Sequence, residues 1–224
     1  MTFSITARCA ETGMFGVAVS SSSPAVAARC AHARAGVGAV ASQNVTDPAL
    51  GPKTLDLLER GASAEEAISI VKRGAAHIDF RQITAVDKAG NSAIFSGTKM
   101  LGTYAETLRQ DVVCAGNLLA EEWVTSAMAD AFQDSSGHLA DRLLTAMQAA
   151  LDAGGEEGPV HSAGMLIHHQ TPFPLVDLRC DWSEICPIAE LRRIWEIYQP
   201  QMDAYVTRAL NPVDAPSYGV PGDA

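Results

Sequence analysis

The segment TFSITAR, residues 2–8, alternates hydroxyl and apolar side chains as far as residue 7. Successive side chains of a β-strand point to opposite faces, so this segment is predicted to form a strand with Thr2, Ser4 and Thr6 on one face. The opposite face is apolar and suits a hydrophobic core. The hydroxyl-bearing face is therefore the first place to look for a functional site.

Thr2 follows the initiator methionine directly. Removal of Met1 would give Thr2 both a hydroxyl nucleophile and a free α-amino group. An N-terminal threonine can use its own amine as the base that activates its hydroxyl. That amine has a pKa of about 8 in model peptides, so a useful fraction accepts a proton near neutral pH. The beginning of the chain thus predicts nucleophilic catalysis by Thr2.

The composition is typical of one ordered domain: 47% of the 224 residues are hydrophobic, 19% are charged, and the formal net charge is −10. This charge repels phosphate backbones and anionic lipids, so nucleic acid and membranes are not expected as partners. No apolar stretch approaches the roughly 20 residues needed to span a bilayer, and no signal-peptide pattern is present. We therefore expect a cytoplasmic protein that acts on a small-molecule substrate or ligand.

No metal or organic cofactor is predicted. The five cysteines are widely spaced and form no Cys-x-x-Cys pair, which indicates neither a zinc site nor a disulfide framework. Residues 36–41 match the Gly-x-Gly-x-x-Ala dinucleotide pattern. That pattern works as a turn between a strand and a helix, whereas here the string itself is predicted to be a strand.

Periodicity and turn signals place further strands and helices along the chain. Ser63 and Glu66 form a capping box at the start of one helix, and residues 88–91 form the turn of a hairpin. The predicted order is strands over 2–8, 14–20 and 36–43, helices over 48–61 and 64–74, strands over 81–87, 92–96 and 111–116, helices over 124–132 and 139–151, strands over 162–168 and 175–179, and a helix over 188–209.

Helices that come in pairs between runs of strands fit neither a doubly wound sheet nor an αβ barrel. Strands that are apolar on both faces need cover on both sides. An α+β fold satisfies both conditions as a four-layer α-β-β-α sandwich of two packed, mainly antiparallel sheets. We assign residues 1–183 to this domain, residues 184–210 to a C-terminal amphipathic helix that packs on the domain or on a partner subunit, and residues 211–224 to a tail. The apolar stripe of that helix makes a homo-oligomer the expected assembly.

This order and the threonine start resemble the N-terminal nucleophile (Ntn) hydrolases, the superfamily of the proteasome subunits and several amidases. Local strings are more specific: TFSITAR (2–8), GVAVSSSSPAV (16–26), ARAGVGAVASQ (33–43) and CAGNLL (114–119). They resemble the family called domain of unknown function 1028, over roughly residues 2–168. The resemblance implies the sandwich fold and amide-bond hydrolysis, with no defined substrate.

The resemblance also implies roles for individual residues. Thr2 matches the nucleophile and its base, and Gln43 and Asn44 match the region that supplies oxyanion donors. Asn117 lies where a residue often contacts the N-terminal amine. Ser162 matches a further hydroxyl of the superfamily.

Two positions depart from the proteasome-like pattern. Ser20 stands where the superfamily has an acid, and Arg34 stands loosely where it has a lysine. Serine carries no charge, and a guanidinium stays protonated, so Arg34 can stabilise an anion but cannot act as a base. Ser20 and Ser162 are therefore assigned to substrate binding together with His161, which lies next to Ser162.

Two functions of different classes follow from these observations. The first is hydrolysis of a small amide or amide-like bond by Thr2. The second is a catalytically silent member of the fold that binds a small molecule or a partner. The hydroxyl face of the first strand and the clustered amides favour hydrolysis, and the missing charged partners favour the silent member.

Overall fold

The computed structural model describes residues 2–219; Met1 and residues 220–224, the end of the predicted tail, lie outside the described residues. The strands are β1 (Thr2–Arg8), β2 (Phe15–Ser21), β3 (Ala31–Arg34), β4 (Gly38–Asn44), β5 (Arg81–Asp87), β6 (Ser92–Ser96), β7 (Ala105–Arg109), β8 (Val112–Asn117), β9 (Ser162–His168) and β10 (Val176–Cys180). The α-helices are α1 (Ala27–Cys30), α2 (Leu50–Glu59), α3 (Ala64–Gly74), α4 (Val124–Asp134), α5 (Leu139–Asp152), α6 (Pro187–Tyr198) and α7 (Met202–Leu210).

The strands form two antiparallel sheets. The larger has the order β10-β9-β2-β1-β8-β7, and the smaller has the order β3-β4-β5-β6. β1 therefore lies inside the larger sheet, between β2 and β8, and β4 pairs with β5 at the centre of the smaller sheet. This placement gives the TFSITAR strand two covered faces and two paired edges.

Three hydrophobic clusters separate four layers. The apolar residues of β1 pack with α4, α5 and α6 on the outer face of the larger sheet. The smaller sheet packs its outer face against α2 and α3. A third cluster, which includes residues of β2, α1 and β4, lies between the sheets. The predicted α-β-β-α sandwich is confirmed.

Two strands and one short helix were not predicted: β3, β7 and α1. β3 and β7 are the edge strands of their sheets, and few of their residues are buried. An edge strand with solvent on several sides needs no apolar alternation, so periodicity does not reveal it. Four strands, not three, thus precede each of the first two helix pairs.

The C-terminal helix predicted over 188–209 is divided. α6 ends at Tyr198, a 3-10 turn spans Gln199–Gln201, and α7 begins at Met202. Pro200 lies in this turn, where its missing N–H and the clash of its ring with the preceding turn disfavour a continuous α-helix. α6 packs on the domain through Ile188, Leu191 and Trp195. Within residues 2–219, no helix combines the length and the apolar character needed to cross a membrane.

The interface between the sheets changes character along its length. Toward one end it contains small apolar side chains such as Ala39. In the middle, the hydroxyls of Thr6 on β1 and Thr84 on β5 are hydrogen-bonded at 2.7 Å. The hydroxyl face of β1 therefore faces the smaller sheet, and its other end, at Thr2, continues into a polar region.

Asp87 joins the start of α3 to the turn between β5 and β6. Its carboxylate accepts hydrogen bonds from the backbone N–H groups of Ala64, Ala89 and Asn91, and from the Asn91 side-chain amide. Burial alone would raise the pKa of Asp87, but these hydrogen bonds outweigh it and lower the pKa below its ordinary value.

Replacing Asp87 with Ala is expected to lower the free energy of unfolding by about 3 kcal/mol, because several buried donors lose their acceptor. A depressed pKa contributes stability above the unfolded-state pKa, and this contribution is lost as the pH falls through the lower, folded-state pKa. Urea unfolding at neutral pH and at about pH 3 measures both effects. Glu122→Ala, at an exposed position, is the control; an equal loss in both variants would contradict the role of Asp87.

Candidate active site

Thr2 lies at the polar end of the interface between the sheets. It is the first residue of β1, and its cross-strand partner on β8 is Asn117. Directly opposite residues of antiparallel strands have Cβ atoms about 5 Å apart and share a face, so the two side chains are neighbours. On the other side, Thr2 Oγ1 donates a hydrogen bond to Ser21 Oγ at 3.4 Å. The Thr2 side chain is nearly buried, with 5% exposure.

Amide side chains from both sheets surround this end of β1. Gln43 Nε2 on β4 donates to Gln82 Oε1 on β5 at 2.7 Å, and Gln82 Nε2 reaches Gly116 O, next to Asn117, at 3.4 Å. Gln43 and Asn117 from the sequence analysis thus meet at one place, linked through Gln82.

Several buried polar side-chain atoms at this end of β1 have no hydrogen-bond partner among the described residues. They include both side-chain atoms of Asn117, Oε1 of Gln43 and Oγ of Ser4. An unpartnered buried polar group costs about 1–3 kcal/mol, so folded proteins keep few of them. A polar molecule bound beside Thr2 would supply partners for these atoms.

Ser20 and Ser162 hold the loop after β2 in place. Ser20 Oγ donates to Ser162 O at 2.9 Å, and Ser162 Oγ donates to Ser23 O at 2.6 Å while it accepts from Val26 N. Their hydroxyls are thus occupied by backbone contacts. Ser162 is the cross-strand partner of Ser21 and adjoins the site. Ser20 is the cross-strand partner of Phe3, so its side chain lies on the outer face of the sheet and not on the face of Thr2, contrary to its predicted role in substrate binding.

His161 lies at the outer rim of the same wall. Its backbone N–H donates to Ser21 O, and its Nδ1–H donates to Ser183 O at 2.9 Å. Its ring stacks on Trp182 with centroids 4.3 Å apart. Since Trp182 is 51% exposed, this aromatic pair reaches from the site to the surface.

Glu156 is a part of the site that the sequence analysis missed. It lies in the loop between α5 and β9, and one carboxylate oxygen accepts from Ser22 N at 3.2 Å. Its other oxygen, Oε1, is buried and has no hydrogen-bond partner among residues 2–219. Burial raises the pKa of Glu156 to about 7, against the opposing effects of the positive amino terminus, the Ser22 N–H and His161.

Two predicted residues lie outside this group. Arg34, at the end of β3, forms ion pairs with Asp56 at 2.9 Å and Glu59 at 2.7 Å on α2. It pairs with Gly38, at the end of β4 opposite to Gln43. The structure therefore gives Arg34 a role in fastening α2, away from Thr2.

Asn44 follows Gln43, and consecutive strand residues face opposite sides. Its amide donates to Phe80 O at 2.7 Å and accepts from Leu101 N at 3.3 Å. Its φ of 72° is left-handed, a conformation that asparagine tolerates well. Asn44 thus fastens loops at the end of β4 and does not join the oxyanion group.

The residues 2–219 contain no cluster of three or more His, Cys, Asp or Glu side chains that could hold a metal ion. A cavity of about 310 Å³ lies between α2 and α3, lined in part by Leu50, Leu57 and Ile70. None of the predicted site residues lines it. The polar groups near Thr2 are hydroxyls, amides and one carboxyl group.

Comparisons with known proteins agree with the fold. A crystal structure of a Silicibacter pomeroyi protein assigned to DUF1028 is 31% identical to this chain, with a TM-score of 0.82 over 88% of this chain and 89% of that one. No curated protein matches the chain.

Two more distant structures are both called Anbu. Anbu (ancestral beta-subunit) from Yersinia bercovieri is 14% identical with a TM-score of 0.40, over 91% of this chain and 97% of that one. A mutant Anbu from Hyphomicrobium sp. strain MC1 is 13% identical with a TM-score of 0.42, over the same shares of the two chains. Likenesses of this size do not bear on the activity of this chain.

The model of the family of unknown function DUF1028 matches residues 2–191. This match covers β1 through the first five residues of α6, and thus every residue discussed above as part of the site. Together with the Silicibacter pomeroyi structure, it shows that the chain belongs to the DUF1028 family.

Proposed function

We propose that the protein hydrolyses a small amide or amide-like bond with Thr2 as its nucleophile, after removal of Met1. One observation carries the proposal: the Thr2 hydroxyl lies beside the buried Asn117 carboxamide, whose amide nitrogen and oxygen have no partner among the described residues. Acyl transfer requires a nucleophile and a nearby hydrogen-bond donor for the oxyanion, and Thr2 and Asn117 are such a pair.

The steps of the reaction follow from these groups. The Thr2 α-amine takes the hydroxyl proton as Oγ1 attacks the substrate carbonyl carbon. Asn117 Nδ2 donates to the oxyanion, because Gln43 Nε2 is already bonded to Gln82. The carbon–nitrogen bond then breaks, the leaving amine takes the proton from the ammonium, and an ester on Thr2 remains. Water, deprotonated by the same amine, hydrolyses the ester and releases the acid.

A second function is binding without turnover. The observation that favours it is the 5% exposure of Thr2, which leaves a substrate little access to Oγ1. In that case the unpartnered amides would bind a polar small molecule, and Thr2 would be one of its contacts. The two functions differ in whether a covalent bond to Thr2 forms.

A β-lactone reagent separates the two functions, because its strained ester acylates a nucleophilic hydroxyl without a leaving group. Protein made in its own host with a C-terminal tag is expected to lack Met1 and to gain the full reagent mass on Thr2. The matched control is the same chain with an uncleaved N-terminal extension, which blocks the α-amine and is expected to stay unmodified. Full retention of Met1 in the host, or no adduct on the processed protein, would contradict the hydrolase.

A further inference from the structure

We propose that Glu156 is the positioning residue that pairs with the α-amino group of Thr2 in the processed protein. This proposal rests on the function proposed above, because it requires the removal of Met1. Ser20 cannot supply a negative charge. The proposal assigns that charge to Glu156, which lies outside the strings quoted above for DUF1028.

The backbone places Glu156 beyond the amino end of β1. The two neighbours of β1, β2 and β8, end level with Thr2, at Ser21 and Asn117, and the chain runs on past Thr2 after each of them. The next residue after β2, Ser22, donates its N–H to Glu156 Oε2. Two residues after β8, Leu119 forms a β-bridge with Glu156. Glu156 is thus attached to the segments that follow both strands flanking Thr2, beyond the amino end of β1.

The Glu156 backbone is held on both sides, so its carboxyl group is well positioned. Gly155 O accepts from Ala120 N at 3.0 Å, and Glu157 N donates to Leu118 O at 3.0 Å. Gly155 has a φ of 61°, which a residue with a side chain rarely adopts. A loop fixed in this way keeps the carboxyl group in one place and loses little entropy when a partner binds.

The carboxyl group lacks a partner of its own. Glu156 is 4% exposed, and only one of its two oxygens is hydrogen-bonded within the described part of the chain. A buried carboxylate is costly unless it is paired, and an ammonium group is its best partner through a charge-assisted hydrogen bond. The charged groups that lower its pKa are His161 and the amino terminus, which in the unprocessed chain belongs to Met1. The Nδ1–H of His161 is bonded to Ser183 O. After removal of Met1, the α-amino group at the start of β1 is the cation assigned to Glu156.

This pairing gives Glu156 a defined effect on the reaction. An ionised Glu156 favours the ammonium form and raises the pKa of the Thr2 amine. During attack the amine becomes positive, and the carboxylate stabilises that charge where it forms. Burial raises the pKa of Glu156 to about 7, so its carboxyl group is partly ionised near neutral pH.

The test compares Glu156→Gln with Glu157→Gln, which removes the same charge at an exposed neighbouring position. Glutamine keeps an acceptor for Ser22 N, so the loop is expected to fold. The pKa of the Thr2 amine is measured from the pH dependence of its acetylation by acetic anhydride, followed by mass spectrometry. We expect Glu156→Gln to lower this pKa by about one unit and Glu157→Gln to leave it unchanged. Equal pKa values in wild type and Glu156→Gln would overturn the proposal.

A second measurement covers the case in which Glu156→Gln does not fold. The wild-type amine is then expected to titrate at least about one unit above the ordinary value of about 8, and an ordinary value would overturn the proposal. The result for Glu156 can be separated from the result for the proposed hydrolase activity. A raised amine pKa without a β-lactone adduct would contradict only the proposed function, whereas an adduct with an ordinary amine pKa would contradict only the role of Glu156.

Discussion

Thr2→Ala is expected to lower kcat/KM for amide hydrolysis by about 10⁴-fold or more, because the variant keeps the amine but loses the attacking oxygen. The substrate for this measurement is the amide cleaved fastest by wild type among small acyl p-nitroanilides, with p-nitroaniline release as the readout. Alanine is expected to fit, since it is smaller than threonine and the hydrogen bond from Thr2 Oγ1 to Ser21 Oγ is long, at 3.4 Å.

Thr2→Ser is the matched control for this experiment. It retains the hydroxyl and the α-amine and removes only a methyl group, so we expect kcat/KM to stay within about tenfold of wild type. Thermal unfolding of both variants separates catalysis from folding. Turnover by Thr2→Ala at the wild-type rate would show that another group attacks the amide, and Thr2 would then be a binding residue at most.

The fold could be predicted from the sequence wherever an element has one apolar face and one polar face. β1 is the best example: its alternation places Thr6 toward the smaller sheet and Ile5 in the core, and both placements are confirmed. The periodic signal is lost in β3 and β7, each at one edge of its sheet, although the other two edge strands, β6 and β10, were predicted. In β7, four of five residues are at least partly exposed, so its pattern cannot be told from that of a loop.

The site could be predicted only in part, because sequence neighbours and spatial neighbours differ. Gln43 and Asn44 are adjacent in the chain, yet strand alternation sends only Gln43 toward Asn117. Gln82 reaches the site from a different hairpin, and Glu156 reaches it from a loop 154 residues beyond Thr2. No motif joins these positions, and only the pairing of the strands brings them together.

Asn117→Val is expected to raise stability while it abolishes most of the activity. The substitution removes two buried polar atoms that have no partner in the described structure, and it places a strand-favouring residue in β8. We expect the free energy of unfolding to rise by about 2 kcal/mol, which corresponds to roughly 4–8 °C in Tm for a chain of this size. Loss of the oxyanion donor is expected to lower kcat by about 10²–10³-fold. Calorimetry and the p-nitroanilide assay measure the two effects.

Asn44→Val is the matched control, and its expected stability change has the opposite sign. Asn44 donates to Phe80 O, accepts from Leu101 N, and has a left-handed φ that a β-branched residue tolerates poorly. We therefore expect a loss of about 3 kcal/mol with little change in kcat. If Asn117→Val were destabilised as much as Asn44→Val, the Asn117 amide would have structural partners in solution and could not be the unengaged oxyanion donor. Stability changes of opposite sign would instead show that the fold keeps a destabilising polar group beside Thr2. Proteins keep such groups where a functional site needs them, here to donate a hydrogen bond to the oxyanion.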